Sequence, residues 1–221
     1  MPFRHEWKHR ITEADRRILA ARLDAVASRD VHSQNGLYQI RSLYFDDLFD
    51  TALREKLDGV NQREKFRIRC YNGSHDLIRL EKKCKRNGLC EKISAPMTRE
   101  QVEKLLAGDL DWMEQADPLI QELRCKMQWG LQPKTLVDYT REAWTYAPGN
   151  VRVTMDYNIR TGLCCTDFLD PNCPTVPAGE PVILLEVKWD AFLPDIIRDA
   201  IWLEGRQATA FSKYAACRMY G

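Results

Sequence analysis

No run in this 221-residue chain approaches eighteen consecutive apolar residues, which excludes a membrane-spanning helix. The first residues, Met1-Pro-Phe-Arg-His-Glu-Trp-Lys8, lack the apolar stretch of a secretory signal. The opening methionine leads us to expect a full-length, cytoplasmic chain. Histidine is scarce: His5, His9, His32 and His75 are scattered, and none is expected to act in catalysis. The eight cysteines include Cys164, Cys165 and Cys173, yet form no CxxC pair and no Cys/His zinc spacing, so we expect reduced, mostly structural thiols. Net charge is nearly absent at +1, which argues against a general nucleic-acid binder. With no internal repeat, low-complexity tract or linker, residues 1–221 read as one domain.

What the chain does have is positive charge in one place. Residues 63–92 hold ten Lys/Arg against four Asp/Glu, inside an otherwise mildly acidic protein. In Arg63-Glu-Lys-Phe-Arg-Ile-Arg-Cys-Tyr71, strand alternation puts Arg63, Lys65, Arg67 and Arg69 on one face and Phe66, Ile68 and Cys70 on the other. In Ile78-Arg-Leu-Glu-Lys-Lys83 the same alternation groups Arg79, Glu81 and Lys83. A solvated sheet face and a barrel with a charged interior both satisfy this pattern.

Alternation predicts strands at Phe3–Arg10, Leu37–Asp47, 63–71, 78–83, Leu89–Ala95, Thr135–Tyr146, Val151–Tyr157 and Val182–Lys188. Asn72-Gly-Ser-His75, Arg86-Asn-Gly88 and Ala147-Pro-Gly-Asn150 are hairpin turns, and Ser33-Gln-Asn-Gly36 is a polar loop. Helices are predicted from Thr12 to Ala27, over Thr51–Leu57, after the capping box Thr98-x-x-Gln101, and from Pro118 to Trp129. Two more follow Pro194 and Phe211. The class is therefore α+β, with a helical insertion at about 98–130. Eight strands joined mostly by hairpins favour an antiparallel sheet closed into an eight-stranded β-barrel, with helices packed outside. Trp112, Trp129, Trp144, Trp189 and Trp202 are expected in the core or in helix packing.

Several strands carry charge on one face and apolar residues on the other. Arg152, Thr154 and Asp156 oppose Val151, Val153 and Met155, and Glu186 and Lys188 oppose Leu185 and Val187. If helices cover the apolar faces, the barrel interior is lined with Arg, Lys and Glu. Such a lining becomes favourable when water and a polyanion fill it, and phosphate suits Arg forks and Lys point charges. Arg63 and Lys65, near a strand start, are expected at the mouth. Asp46-Asp47 reads as a strand-end pair rather than a metal pair.

Six short segments together resemble a known family. Glu6-Trp-Lys8 is similar to the second half of the ExExK signature of the triphosphate tunnel metalloenzymes, the CYTH-like superfamily. Ser42-Leu-Tyr-Phe-Asp46, Phe66-Arg-Ile-Arg69, Leu80-Glu-Lys-Lys83, Leu185-Glu-Val-Lys188 and Phe211-Ser-Lys213 resemble, in order, the VTC branch, the polyphosphate polymerase domain. The resemblance implies an eight-stranded antiparallel tunnel that binds a nucleoside triphosphate and a divalent metal, Mn²⁺ or Mg²⁺. It implies transfer of the γ-phosphate of ATP to a growing polyphosphate chain. On this resemblance Arg67, Arg69, Lys83 and Arg141 hold the reacting triphosphate, Lys8, Lys92, Arg152, Ser212 and Lys213 bind further phosphates, and Glu186 binds the metal. Arg4 replaces the superfamily's first signature glutamate, and Ala210 stands where some VTC members carry lysine. ATP and polyphosphate are the implied partners, with no nucleic acid or membrane insertion; coupling to transport would need a separate membrane partner. Hydrolysis of tripolyphosphate or a nucleoside triphosphate, and polyphosphate binding without turnover, remain alternatives.

Overall fold

The computed structural model describes residues 4–31, 33, 36–87 and 89–219. Phe3, Gln34, Asn35 and Gly88, which belong to elements predicted above, and His32, one of the four histidines, lie outside these. In chain order the strands are β1 (His5–Ile11), β2 (Ser28–Arg29), β3 (Leu37–Asp46), β4 (Arg63–Tyr71), β5 (Ser74–Arg86) and β6 (Leu89–Met97). They continue with β7 (Gln132–Tyr146), β8 (Val151–Thr161), β9 (Val176–Pro177), β10 (Ile183–Trp189) and β11 (Gln207–Ala208). The helices are α1 (Glu13–Val26), α2 (Thr51–Leu57), α3 (Arg99–Leu106), α4 (Pro118–Gln128), α5 (Asp195–Ala200) and α6 (Lys213–Arg218).

Local chemistry sets these boundaries. α1 and α3 open on reciprocal capping boxes, Thr12 with Asp15 and Thr98 with Gln101. The β4–β5 hairpin turns at Asn72 and Gly73, both at positive φ (54° and 69°), the conformation a tight two-residue hairpin requires. Asp46 is a capping residue: its carboxylate accepts from the backbone of Ala52 (2.9 Å) and Leu53 (3.0 Å) and from the Tyr214 hydroxyl (2.7 Å).

The strands form one antiparallel sheet in the order β11-β1-β10-β8-β7-β3-β4-β5-β6, with β2 on β7 and β9 on β8. Eight of them are long, in the number predicted, but among the described residues the sheet does not close into a barrel. Its ends touch at one bridge, where the Arg4 N–H donates to the Cys90 carbonyl at 3.3 Å. The reason lies in β1, whose second edge is partly taken: His9 and Arg10 pair with Ala208 and Gln207 of β11, so only the start of the strand is left to meet β6.

The apolar reverse of the sheet is covered by helices and a loop. Phe66, Ile68, Cys70, Ile78 and Leu80 pack against α3, α4 and Phe168. Val151, Val153, Met155, Leu185 and Val187 pack against α1 and α5. A third cluster joins Tyr44, Tyr139 and Leu184 to Tyr214 and Cys217 of α6. Two of the tryptophans expected inside, Trp129 and Trp202, lie on the surface at 89% and 58% exposure, whereas Trp144 is fully buried. Trp129 caps the end of α4, beyond the stripe of Leu119, Ile120 and Leu123 that the helix buries. No helix among the described residues is long and apolar enough to cross a membrane.

Candidate functional site

All eight long strands contribute to one cavity of about 420 Å³. Fourteen Lys/Arg and four Glu line it, together with Tyr44, Tyr71, Tyr139 and Tyr214. Every residue singled out from the sequence is on this wall: Lys8, Arg67, Arg69, Lys83, Lys92, Arg141, Arg152, Glu186, Ser212 and Lys213. The alternation of β4 explains Arg67 and Arg69, since the residues that alternate with them, Phe66, Ile68 and Cys70, are buried on the opposite face.

Two carboxylates stand behind the wall rather than on it. Glu81 is 1% exposed and binds Arg67 (2.6 Å), Lys92 (2.9 Å) and Arg69 (3.6 Å). Asp156 is fully buried and takes a two-pronged contact from Arg141 (2.6 and 2.7 Å) and one from Lys213 (2.6 Å). Burial opposes both charges, but the paired cations prevail and hold both carboxyls below their ordinary range. Arg67 also donates to the Tyr44 hydroxyl (2.7 Å), and Arg69 to Ser42 (3.1 Å) and to the Tyr139 hydroxyl (2.8 Å). The forks are thus aimed before any ligand arrives.

A third acidic locus lies at the β1–β10 pairing, where Lys8 faces Glu186 and Glu6 faces Lys188. Lys188 reaches both carboxylates (3.2 and 3.4 Å), and so does Lys8 (3.9 Å to Glu6, 3.1 Å to Glu186). Lys83 lies 3.4 Å from Glu6, and Lys213 is 3.5 Å from Glu186. Despite burial, these lysines keep both acids ionised far below the usual carboxylate range. Two hard oxygen donors side by side fit a Mg²⁺- or Mn²⁺-like ion that completes its shell with phosphate and water. Glu186, named from the sequence, and Glu6 would hold it.

Other placements add detail that the strand pattern does not carry. Lys65 lines the cavity beside the Tyr44 ring, 5.3 Å from its centroid, and burial with neighbouring cations lowers its pKa to about 8. On Tyr44, burial is outweighed by Arg67, Lys65 and Arg69, and the phenol falls to about 7. Ser212 caps α6, its hydroxyl accepting from the Ala215 N–H at 3.3 Å. Arg152 pairs with Asp30 at 2.8 Å, at a more open part of the wall. Sequence reasoning put Glu81, Asp156 and Lys188 on the charged faces but gave them no role in the site, and it missed Tyr44 and Tyr139. The alternation that gave Arg67 also gives Glu81 and Asp156, whereas a tyrosine within a strand reads as core.

The VTC domain profile matches residues 3–220. The chain belongs to the VTC domain family. No curated protein matches this VTC domain in sequence. Among solved structures it is similar to a provisionally named adenylate cyclase from Bacillus halodurans (12% identity, TM-score 0.52, covering 84% of this chain and 79% of that one). That likeness is one of fold. The PH1012 and PH1819 proteins of Pyrococcus horikoshii OT3 also match, at 12% and 13% identity. The PH1012 match has a TM-score of 0.47 and covers 90% of this chain and 85% of that one. The PH1819 match has a TM-score of 0.43, with 90% and 84% covered.

Proposed function

We propose that this VTC domain is a cytoplasmic, metal-dependent polyphosphate polymerase that transfers the γ-phosphate of ATP to the end of a growing polyphosphate chain. The observation that carries this reading is the cavity wall itself, with fourteen Lys/Arg against four Glu in a member of the VTC family. We read the curved sheet as an eight-stranded tunnel in function, its two ends brought together at the Arg4–Cys90 bridge, and residues 1–221 as one domain.

Phosphoryl transfer asks little covalent chemistry of a protein; positioning and charge stabilisation do most of it. Arg67 and Arg69 present guanidinium forks already oriented by Glu81, Tyr44 and Tyr139, so little reorganisation accompanies binding. Arg141, fixed by Asp156, and Lys83 complete the group that bears on the transferring phosphoryl. Lys8, Lys92, Arg152, Ser212 and Lys213 extend the phosphate path along the wall. A bound divalent ion would add neutralisation of phosphate charge at Glu186 and Glu6. Lys8 and Lys188, which now satisfy those acids, would then turn to phosphate oxygens.

The test is incubation of the purified protein with ATP and Mn²⁺ or Mg²⁺, followed by electrophoresis for polyphosphate and measurement of ADP. A polymer ladder with matching ADP is expected. Phosphate or pyrophosphate without polymer would replace the reading by hydrolysis, and tight polyphosphate binding without turnover would replace it by a binding module.

A further inference from the structure

Outside the basic cavity, the loop between β8 and β9 brings together Cys165, Asp167 and Cys173. The two sulfurs are 2.7 Å apart across eight residues of sequence, and Cys165 Sγ lies 3.6 Å from the Asp167 carboxylate. We propose that Cys165 and Cys173 are a redox modification site, closing a reversible disulfide that staples the β8–β9 loop to itself around the buried Phe168.

The geometry separates this from a metal site. Two thiolates on a tetrahedral zinc, each about 2.3 Å from the ion, sit roughly 3.8 Å apart. The present pair is more than an ångström closer than that, and about 0.7 Å short of a bond. The loop has a position worth fixing. Phe168, fully buried between the two cysteines, sits in the core behind β4 and β5. Arg41 donates to the Asp170 carbonyl and pairs with Asp138 on β7 at 2.9 Å. Pro171, Arg41, Asp138 and Cys70 line a second cavity of about 180 Å³, so the cysteine-bounded segment forms part of its wall.

The two thiols have different roles. Cys165 is half-buried, whereas Cys173 is 5% exposed, and burial with its Cys165 neighbour pushes the Cys173 thiol up to about 12. Cys165 therefore attacks first. Its thiolate displaces one thiolate from a low-molecular-weight disulfide of the glutathione class, giving a mixed disulfide. The Cys173 sulfur then attacks Cys165 Sγ and releases the second thiolate, which leaves with the Cys173 proton. Two protein thiols are oxidised to one disulfide, and one external disulfide is reduced to two thiols.

The full chain should be equilibrated in glutathione buffers of graded redox ratio, then alkylated, digested and mass-mapped. The expected result is loss of two of the eight titratable thiols, a Cys165–Cys173 linked peptide, and full return on reduction. Cys164→Ser should keep the link, and Cys165→Ser and Cys173→Ser should abolish it. The oxidised wild type should melt higher than the reduced form, by roughly 4–15 °C, and neither of these two variants should show the difference. A link through Cys164, no link at any oxidising ratio, or stoichiometric zinc in the isolated protein that is lost in Cys165→Ser would each overturn the proposal. Mapping the wild type keeps the test decisive if a variant fails to fold.

Discussion

Replacing Asp156 by asparagine isolates the contribution of a buried counter-charge. Asp156 is fully buried, and both of its cations are nearly so: side-chain exposure is 12% for Arg141 and 9% for Lys213. The substitution keeps shape, leaves Arg141 without its paired carboxylate and leaves Lys213 with Glu186 alone, 3.5 Å away. Breaking a buried ion pair from one side costs about 3–5 kcal/mol. For a chain of this length that corresponds to a fall in melting temperature of roughly 6–20 °C. The same two cations line the cavity, so an anion placed there can substitute for the missing carboxylate. Tripolyphosphate should therefore raise the melting temperature of Asp156→Asn by more than it raises that of the wild type, in differential scanning fluorimetry at matched ligand and salt. A fall of less than about 1 kcal/mol would refute the view that Asp156 neutralises the wall, because surface substitutions typically cost no more than that. Equal ligand rescue of wild type and variant would refute the view that ligand and carboxylate serve the same cations.

Further outcomes are expected. Between about pH 7 and 10 the folded state binds fewer protons at Tyr44 than the unfolded chain, and the same holds for Lys65 from about 8 up to the usual lysine value of 10.5. The stability of the ligand-free protein from these groups therefore rises with pH across that window, and Tyr44→Phe or Lys65→Met should flatten the rise in urea titrations run at graded pH. Phenolate absorbance should show Tyr44 ionising near neutrality, and an occupying polyphosphate should shift that titration upward, because a polyanion disfavours a neighbouring phenolate. At the acid end, Glu81, Asp156 and Glu186 stabilise the fold above the ordinary carboxylate range, and this is lost as pH falls through their depressed values; acid-induced loss of tertiary signal should begin earlier in Glu81→Gln. Phe168→Ala should cost about 3–5 kcal/mol in chemical denaturation, because a fully buried ring leaves a cavity behind β4 and β5. Glu186→Gln should weaken Mn²⁺ binding in calorimetry with a non-hydrolysable triphosphate present, while leaving metal-free polyphosphate binding intact or tighter.

Much of this was legible from alternation alone. β4 begins and ends where its charged and apolar residues predict, at Arg63 and Tyr71, and both capping boxes mark real helix starts. β5 runs beyond its apolar segment, from Ser74 to Arg86, because pairing with β4 and β6 extends it past the point where its own pattern fades. Barrel closure was not legible, since it depends on which partner takes the edge of β1, and the two residues of β11 have no periodicity to read. Lys65 was expected at the mouth by its sequence position. The pairing of Tyr44 with Arg67 across β3 and β4 puts Lys65, the next residue on that face, beside the Tyr44 ring. The tyrosines were missed for a chemical reason: an aromatic ring in a strand signals burial, while its hydroxyl, which orients an arginine here, leaves no trace in the pattern.

The carboxylates behind the wall make the cavity an ion exchanger with tethered counter-ions. An entering phosphate chain shares lysines and arginines with partners that cannot diffuse away, so fewer small ions are freed than the fourteen cations would imply. The logarithm of affinity should accordingly fall with the logarithm of salt concentration far less steeply than one ion per lining cation predicts, and the slope should steepen when Glu81 or Asp156 is neutralised. Fixed acids also let a crowded set of positive groups fold before any ligand is present, and they set a threshold: a single phosphate gains little by competing with them, whereas a chain long enough to engage Arg67, Arg141 and Lys213 together gains at every step.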